Sequence, residues 1–416
     1  MDGSLAPSQT LAPDPWSIPL DQLDPSRAEL FATGAHHEYF RRLRQEDPVH
    51  FCADSQFGPY WSITTFNDIM AVDSNHAAFS SHRTIVIGDQ PDLDEPPMFI
   101  AMDPPRHDAQ RKAVSPAVAP ARLSDIELLI RQRAGAILDT LPRNETFNWV
   151  ELVSKELTTQ MLATLFDFPF EDRHLLPYWS DITTTTESVG AAVDMAHRQS
   201  VLMECLAYFS DLWRERAKQP QKFDFISLFA HNPETRDMID NPMELMGNLM
   251  LLIVGGNDTT RNSISGGVLA LNQYPDQYAK LKADRSLIPN MVPEIIRWQT
   301  PLAHMRRNAT CDIEFGGKSI RKGDKVVMWY VSGNRDETVI ERPDDFIIDR
   351  DRSRHHLSFG FGIHRCMGNR VAEMQLRILW EEIMVRFPHI EVVGPPERVL
   401  SNFVQGYETL PVRIAG

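Results

Sequence analysis

The sequence predicts a mainly α-helical protein with a small β region, built as one compact fold. Three observations predict it. Apolar residues recur at three- and four-residue spacing over a long stretch that begins near Arg122, the mark of amphipathic helices. One helical segment runs from Pro242 to Tyr274, roughly 50 Å at 1.5 Å per residue, long enough to cross a whole molecule. Short β-like runs lie near both ends of the chain, and strands that share a sheet favour one core over several domains.

The elements follow in chain order. Met1 to Pro19 holds serine, alanine and several prolines but no Lys or Arg. It lacks the basic start and apolar core of a signal peptide and reads as a disordered leader, with a single domain over 20–416. Tyr39 to Asp47 predicts a short helix. Val49 to Phe51 and Tyr60 to Ile63 predict a strand pair turning through Phe57-Gly58-Pro59. Helical spacing then runs through Ile126, Leu129, Ile130, Ala134 and Ile137, and again over Leu152–Phe166 and Val201–Lys218. In the long segment Asn241 suits the N-cap, Pro242 the first helical position and Pro275 the stop. Its surface is apolar up to Val254, which places it in the core. Cys311–Phe315, Lys318–Ile320 and Lys325–Trp329 predict strands. A loop-rich stretch follows over Asn334–Gly362, then a helix from Gly368 to about Phe387 and a strand pair in Val392–Ile414.

Composition excludes some functions. The 416 residues carry a formal net charge of −15, which argues against nucleic-acid binding or anionic-membrane binding through bulk charge. The four cysteines, Cys52, Cys205, Cys311 and Cys366, are too far apart for a CxxC metal pair or a dense disulfide framework, a usage that suits a reducing cytoplasm. No run of about 20 apolar residues exists, so no transmembrane anchor is expected.

The chemistry concentrates in Phe359-Gly360-Phe361-Gly362-Ile363-His364-Arg365-Cys366-Met367-Gly368. Glycines bracket one cysteine in a loop that enters a helix. They allow positive φ and close approach of backbone to a flat cofactor. At a helix N-terminus the macrodipole favours a thiolate. This string resembles the haem-binding signature of the cytochromes P-450, and the resemblance extends from about Tyr39 to the tail. It implies a fold with a long central helix over haem b, with Cys366 as the axial ligand that favours O–O cleavage and Phe359 packed beside it.

Further motifs agree with that resemblance. Glu294-Ile295-Ile296-Arg297 places an acid and a base on one helix face; with Arg350 they resemble the family's structural network that pins the cysteine loop. Asn334-Arg335-Asp336, Pro343 and Phe346 resemble the loop between sheet and cysteine. Gly255-Gly256-Asn257-Asp258-Thr259-Thr260 resembles the oxygen-activation motif, in which Asp258 brings protons from solvent and Thr259 hydrogen-bonds dioxygen. Read without the family, the same residues describe a helix kink relieved by polar side chains. His107 and Arg111, in Asp103-Pro104-Pro105-Arg106-His107, together with Arg307 and His364, resemble the ligands of the two haem propionates.

The implied reaction is RH + O2 + two electrons + two protons giving ROH + H2O. The sequence has no dinucleotide-binding fingerprint and no cysteine cluster for an iron–sulfur centre. The resemblance therefore implies an external donor, a ferredoxin reduced by an NAD(P)H-dependent ferredoxin reductase, docking on a locally basic face; Arg106, Arg111, Lys112 and Arg365 are candidates. Segments that line the family's distal pocket hold Leu251, Val254, Gly255, Leu302, Met305 and Phe403, mostly apolar, and suit an apolar substrate. The stretches Phe57–Ile69, Thr158–Phe170 and Asn248–Ala270 are similar to the bacterial soluble alkane hydroxylases, which implies terminal hydroxylation of medium-chain alkanes or fatty acids. The chain departs from them over Arg83–Phe99. A fatty acid needs a cation at the channel mouth, for which Arg83 and His82 are candidates. The rival readings are a terpene or steroid hydroxylase and a haem-based sensor. Family habit implies a monomer.

Overall fold

The computed structural model describes residues 13–89, 96–184 and 194–416. Helices dominate. The long helix spans Pro242–Gln273 and packs against Glu156–Phe166, Leu175–Thr184, Ile288–Gln299 and Asn369–Arg386. With Pro120–Asp139 and Met195–Arg216 these helices enclose the largest hydrophobic cluster. Trp149, Trp179 and Trp380 lie in it, each at most 1% exposed.

The strands at the two ends of the chain do share a sheet. Val49–Cys52 and Tyr60–Ile63 form the expected antiparallel hairpin, Val49 opposite Ile63. Tyr60–Ile63 then runs parallel to Lys325–Met328, which pairs antiparallel with Met305–Ala309, and Phe79–Ser80 closes the edge. The strand Met305–Ala309 was not expected. Its Met-Arg-Arg-Asn-Ala sequence shows no apolar alternation, and pairing on both sides decides its conformation.

Other boundaries moved for identifiable reasons. The helix expected from Val201 begins at Met195, because the Asp194 side chain accepts the His197 N–H and caps it. The segment expected as one helix from Leu152 starts as a wide i→i+5 turn, Val150–Lys155, before the α-helix Glu156–Phe166. Asn241 occupies the N-cap position of the long helix without a side-chain cap bond; its amide donates to Glu244 instead, at 2.9 Å. The tail holds four short strands rather than one pair. Pro411–Arg413 sits between Thr146–Asn148 and Glu391–Val392, and Glu397–Arg398 pairs with Tyr407–Thr409.

Residues 1–12 of the expected leader, and 90–95 of the divergent stretch, lie outside the described residues. Residues 13–19 are tied to the helix His36–Glu46: the Tyr39 hydroxyl donates to the Pro13 carbonyl at 2.9 Å, and Arg42 donates to the carbonyls of Pro15 and Ile18. Among the described residues no helix is long and apolar enough to cross a membrane.

Candidate functional site

The cysteine loop is shaped by its glycines. Gly360 and Gly362 sit at φ +66° and +63°, the left-handed region that glycine enters without strain. A Cβ on Gly362 would also overlap the Asp73 carbonyl oxygen. The Cys366 N–H donates to the Phe359 carbonyl at 2.7 Å, which turns the loop towards the helix Asn369–Arg386. Burial pushes the Cys366 thiol up; the N–H groups of Gly368 and Asn369 and the charges of Arg111 and Arg365 oppose that. Cys366 lies deep in the protein yet keeps exposed surface, and it lines a cavity.

Asp73, which no sequence pattern singled out, organises this loop. It is 2% exposed, at the end of the helix Phe66–Ser74. It accepts the Phe361 N–H at 2.7 Å, the Tyr330 hydroxyl at 2.8 Å and the Arg307 guanidinium at 2.7 Å. Arg307 is thereby held against the cavity by a buried ion pair. Arg111 donates to the Arg365 carbonyl and lines the same cavity. His364 also lines it, and its ring meets His107 edge-on with centroids 4.4 Å apart. His107 Nδ1 is paired with Asp108 at 2.7 Å, but its Nε2 is buried with no partner, as are both ring nitrogens of His364. Burial drives both imidazoles towards the neutral form. Three orphaned imidazole nitrogens beside two guanidinium groups fit an acidic group of a bound cofactor, since buried polar atoms rarely go unpaired.

The loop is braced from behind. Arg297 grips Glu294 through two bonds of 2.7 and 2.8 Å, and Arg350 adds a third at 3.0 Å. Glu294 also accepts the Ile347 N–H, and Arg297 donates to the carbonyls of Asn334, Pro343 and Asp345. Glu294 and Arg297 are at most 1% exposed. The Glu-x-x-Arg pair and the later arginine do come together.

In the long helix the two middle glycines do different work. A Cβ on Gly256 would come within 2.6 Å of Leu162, so this glycine lets two helices pack closely. A Cβ on Gly255 would meet nothing within 4 Å, because Gly255 faces the cavity. Thr259 lines the cavity, and its hydroxyl donates to the Gly255 carbonyl at 2.8 Å. That bond is also what a helix-relief reading requires, but the hydroxyl oxygen keeps acceptor capacity. Asp258 does not line the cavity. It is 1% exposed and meets Arg261 at 2.8 Å, and Arg261 reaches the partly exposed Asp181 at 2.9 Å. Burial pushes the Asp258 carboxyl up to about 6, against the pull of Arg261. Asp258, Arg261 and Asp181 thus form a chain of ionisable groups from the core to the surface.

The cavity measures about 370 Å3 and is lined mainly by apolar side chains. Leu251, Val254, Leu302, Met305 and Phe403 line it as the sequence implied. Val86, Met98 and Phe99 from the divergent stretch do so too, as does Ile100 just beyond it. His82 and Arg83 do not; both are exposed at the surface. Among the described residues, the cation that lines the cavity away from the cysteine loop is Arg198, on the helix Met195–Arg216. Arg198 lies more than a hundred residues further along the chain than Arg83, and no local pattern marks it. Of the expected docking cations Arg106, Lys112 and Arg365 are exposed, and Arg106 is also paired with Glu244 at 2.6 Å.

Comparisons with known proteins identify the family. Residues 194–405 match the cytochrome P-450 family model. The chain is 35% identical to linalool 8-monooxygenase of Pseudomonas putida, covering 94% of this chain and 99% of that one. It is 32% identical to the methyl-branched lipid omega-hydroxylase of Mycobacterium tuberculosis, with 90% of each covered. Among solved structures, cytochrome P-450-153 from Novosphingobium aromaticivorans superposes with a TM-score of 0.89 at 47% identity, covering 94% of this chain and 99% of that one. The chain belongs to the cytochrome P-450 family, monooxygenases that bind haem b.

Proposed function

We propose that this protein hydroxylates medium-chain alkanes, or fatty acids, at the terminal carbon, with electrons delivered by a ferredoxin and an NAD(P)H-dependent ferredoxin reductase. The observation that carries the reading is one apolar cavity whose wall holds both Cys366 and Thr259. Haem b, when bound, supplies the reductive activation of dioxygen. Cys366 is the residue to ligate its iron, with Phe359 beside it. His107, His364, Arg111 and Arg307 would hold its propionates. The chain's own contribution is then to exclude water from an apolar substrate, to restrict which carbon can react, and to bring protons by way of the Asp258 carboxyl, which Arg261 holds in place, towards the Thr259 hydroxyl. Terminal attack is supported by the sequence likeness to alkane hydroxylases and by the relative named as a lipid omega-hydroxylase. A terpenoid substrate is the second reading, favoured by the likeness to linalool 8-monooxygenase.

Titrating the ferric holoprotein with n-octane, dodecanoic acid and linalool, while following the Soret band, tests the substrate. A saturable shift towards high spin with n-octane is expected, because an apolar ligand in this cavity displaces water. A shift with the acid alone would move the assignment to a carboxylate-anchoring site, with Arg198 rather than Arg83 as the anchor. A shift with linalool alone would move it to terpenoids. Cys366→Ser tests the ligand. The ferrous–carbonyl complex is expected to lose the Soret position of thiolate ligation, with monooxygenase turnover falling below detection; an unchanged spectrum would remove Cys366 from the site. Lys112→Glu tests the donor face. The expected result is a several-fold higher ferredoxin requirement with unchanged substrate binding, since a rim charge acts mainly on association rate.

A further inference from the structure

We propose that Gly247 and Asn248, on the long helix, set the position of the cavity wall formed by residues 96–102 and so determine which carbon of the substrate is hydroxylated. The inference rests on the reading of this cavity as the substrate site. Met98, Phe99 and Ile100 supply that wall. Its attachment to the helix is specific. The buried Phe99 N–H donates to Asn248 Oδ1 at 3.0 Å. The Asn248 amide nitrogen donates to Gln110 Oε1 and to the Glu244 carbonyl, both at 3.0 Å. Gln110 in turn donates to the Glu244 carboxylate. All three side chains are buried, Asn248 completely. This network fixes the amide's orientation: rotating it would set its NH2 against the Phe99 N–H and its oxygen against a carbonyl.

Gly247 fixes the distance. The backbone of Pro96 and Pro97 lies across it, and a Cβ there would overlap the Pro97 carbonyl oxygen and come within 2.6 Å of that of Pro96. Neither proline has an N–H to give, so close contact at Gly247 and the single amide bond at Phe99 hold the wall. Leu251 and Val254 lie one and two turns further along the same helix and line the cavity. A movement of the wall relative to this helix therefore changes the width between two apolar surfaces. Selection of a chain end is a matter of geometry at the reacting carbon, where misplacement on the scale of an ångström is felt.

Two holoenzyme variants disturb the wall by different routes. Asn248→Leu removes the acceptor for Phe99 and keeps the volume. Gly247→Ala keeps every hydrogen bond and pushes Pro96 and Pro97 off the helix. In ligand-free protein, hydrogen–deuterium exchange over residues 96–102 is expected to rise in both. With n-octane, dodecanoic acid or linalool, whichever the wild type converts, the ratio of its main product to other regioisomers is expected to fall by roughly tenfold. Faster exchange with an unchanged product ratio in both variants would overturn the specificity role. Wild-type exchange in both would overturn the attachment itself. A wild type that converts linalool but not the linear probes would refute the alkane reading and leave this one to be judged on the linalool products.

Discussion

Replacing Asp258 by asparagine is expected to slow substrate oxidation by about 10²–10⁴-fold, the range that a positioned acid–base group contributes. Asp258 is the innermost ionisable group of the chain that runs through Arg261 to Asp181. Asparagine keeps the shape but carries no titratable proton. The n-octane spin shift should survive, because Asp258 does not line the cavity. The solvent deuterium isotope effect should rise, and more of the reducing equivalents should appear as peroxide. Wild-type turnover with an unchanged isotope effect would remove Asp258 from the proton path. Stability gives a separate signature. Burial raises the folded carboxyl to about 6, above the usual value of about 3.9. The folded state therefore holds this proton more tightly than the unfolded state does. The resulting stabilisation is complete below about pH 4 and is lost as pH rises through about 6. Asp258→Asn lacks this titration, so wild-type stability relative to the variant should fall between those values and be level above about pH 7. Denaturant titrations of both proteins across that range check the sign.

The second large effect is expected at Glu294. Its carboxylate is fully buried and serves Arg297, Arg350 and the Ile347 N–H at once. Glu294→Ala leaves two guanidinium groups without their counter-charge, and breaking a buried pair in this way costs about 3–5 kcal/mol. The loss should be seen as a lower urea midpoint and as haem release at lower denaturant, because the network braces the loop that carries Cys366. Glu294→Gln keeps the volume and one acceptor oxygen, so it should lose less. A Glu294→Ala midpoint within error of the wild type would mean that the arginines' carbonyl partners suffice.

What could be read in the sequence was what neighbouring residues decide together. Phe359 to Gly368 is one loop, Glu294 and Arg297 share a helix turn, and Gly255 to Thr260 interrupt one apolar face. Spacing alone exposes each of them. The long helix was legible for the same reason, with Pro242 and Pro275 marking its limits. Asp73 was not: it is an ordinary acid at a helix end until tertiary folding brings Phe361, Tyr330 and Arg307 to it. Strand Met305–Ala309 was hidden because two neighbours impose its conformation on a sequence without alternation. Arg198 and Arg83 show the same limit from the other side. Proximity in sequence to the divergent stretch pointed to Arg83, whereas the cavity receives Arg198 from a separate helix.

The parallel pairing of Tyr60–Ile63 with Lys325–Met328 has a consequence for how the chain is made. These strands are separated by more than half the polypeptide, so on the ribosome the first hairpin emerges long before its partner exists. Until then it presents an open edge and the apolar faces of Val49 and Ile63, which the finished sheet buries. Closing so long a loop is slow, and an unpaired edge in a nascent chain invites association with other chains. Slower synthesis should lengthen this exposure, and chaperone occupancy during translation should therefore fall only after Met328 has left the exit tunnel.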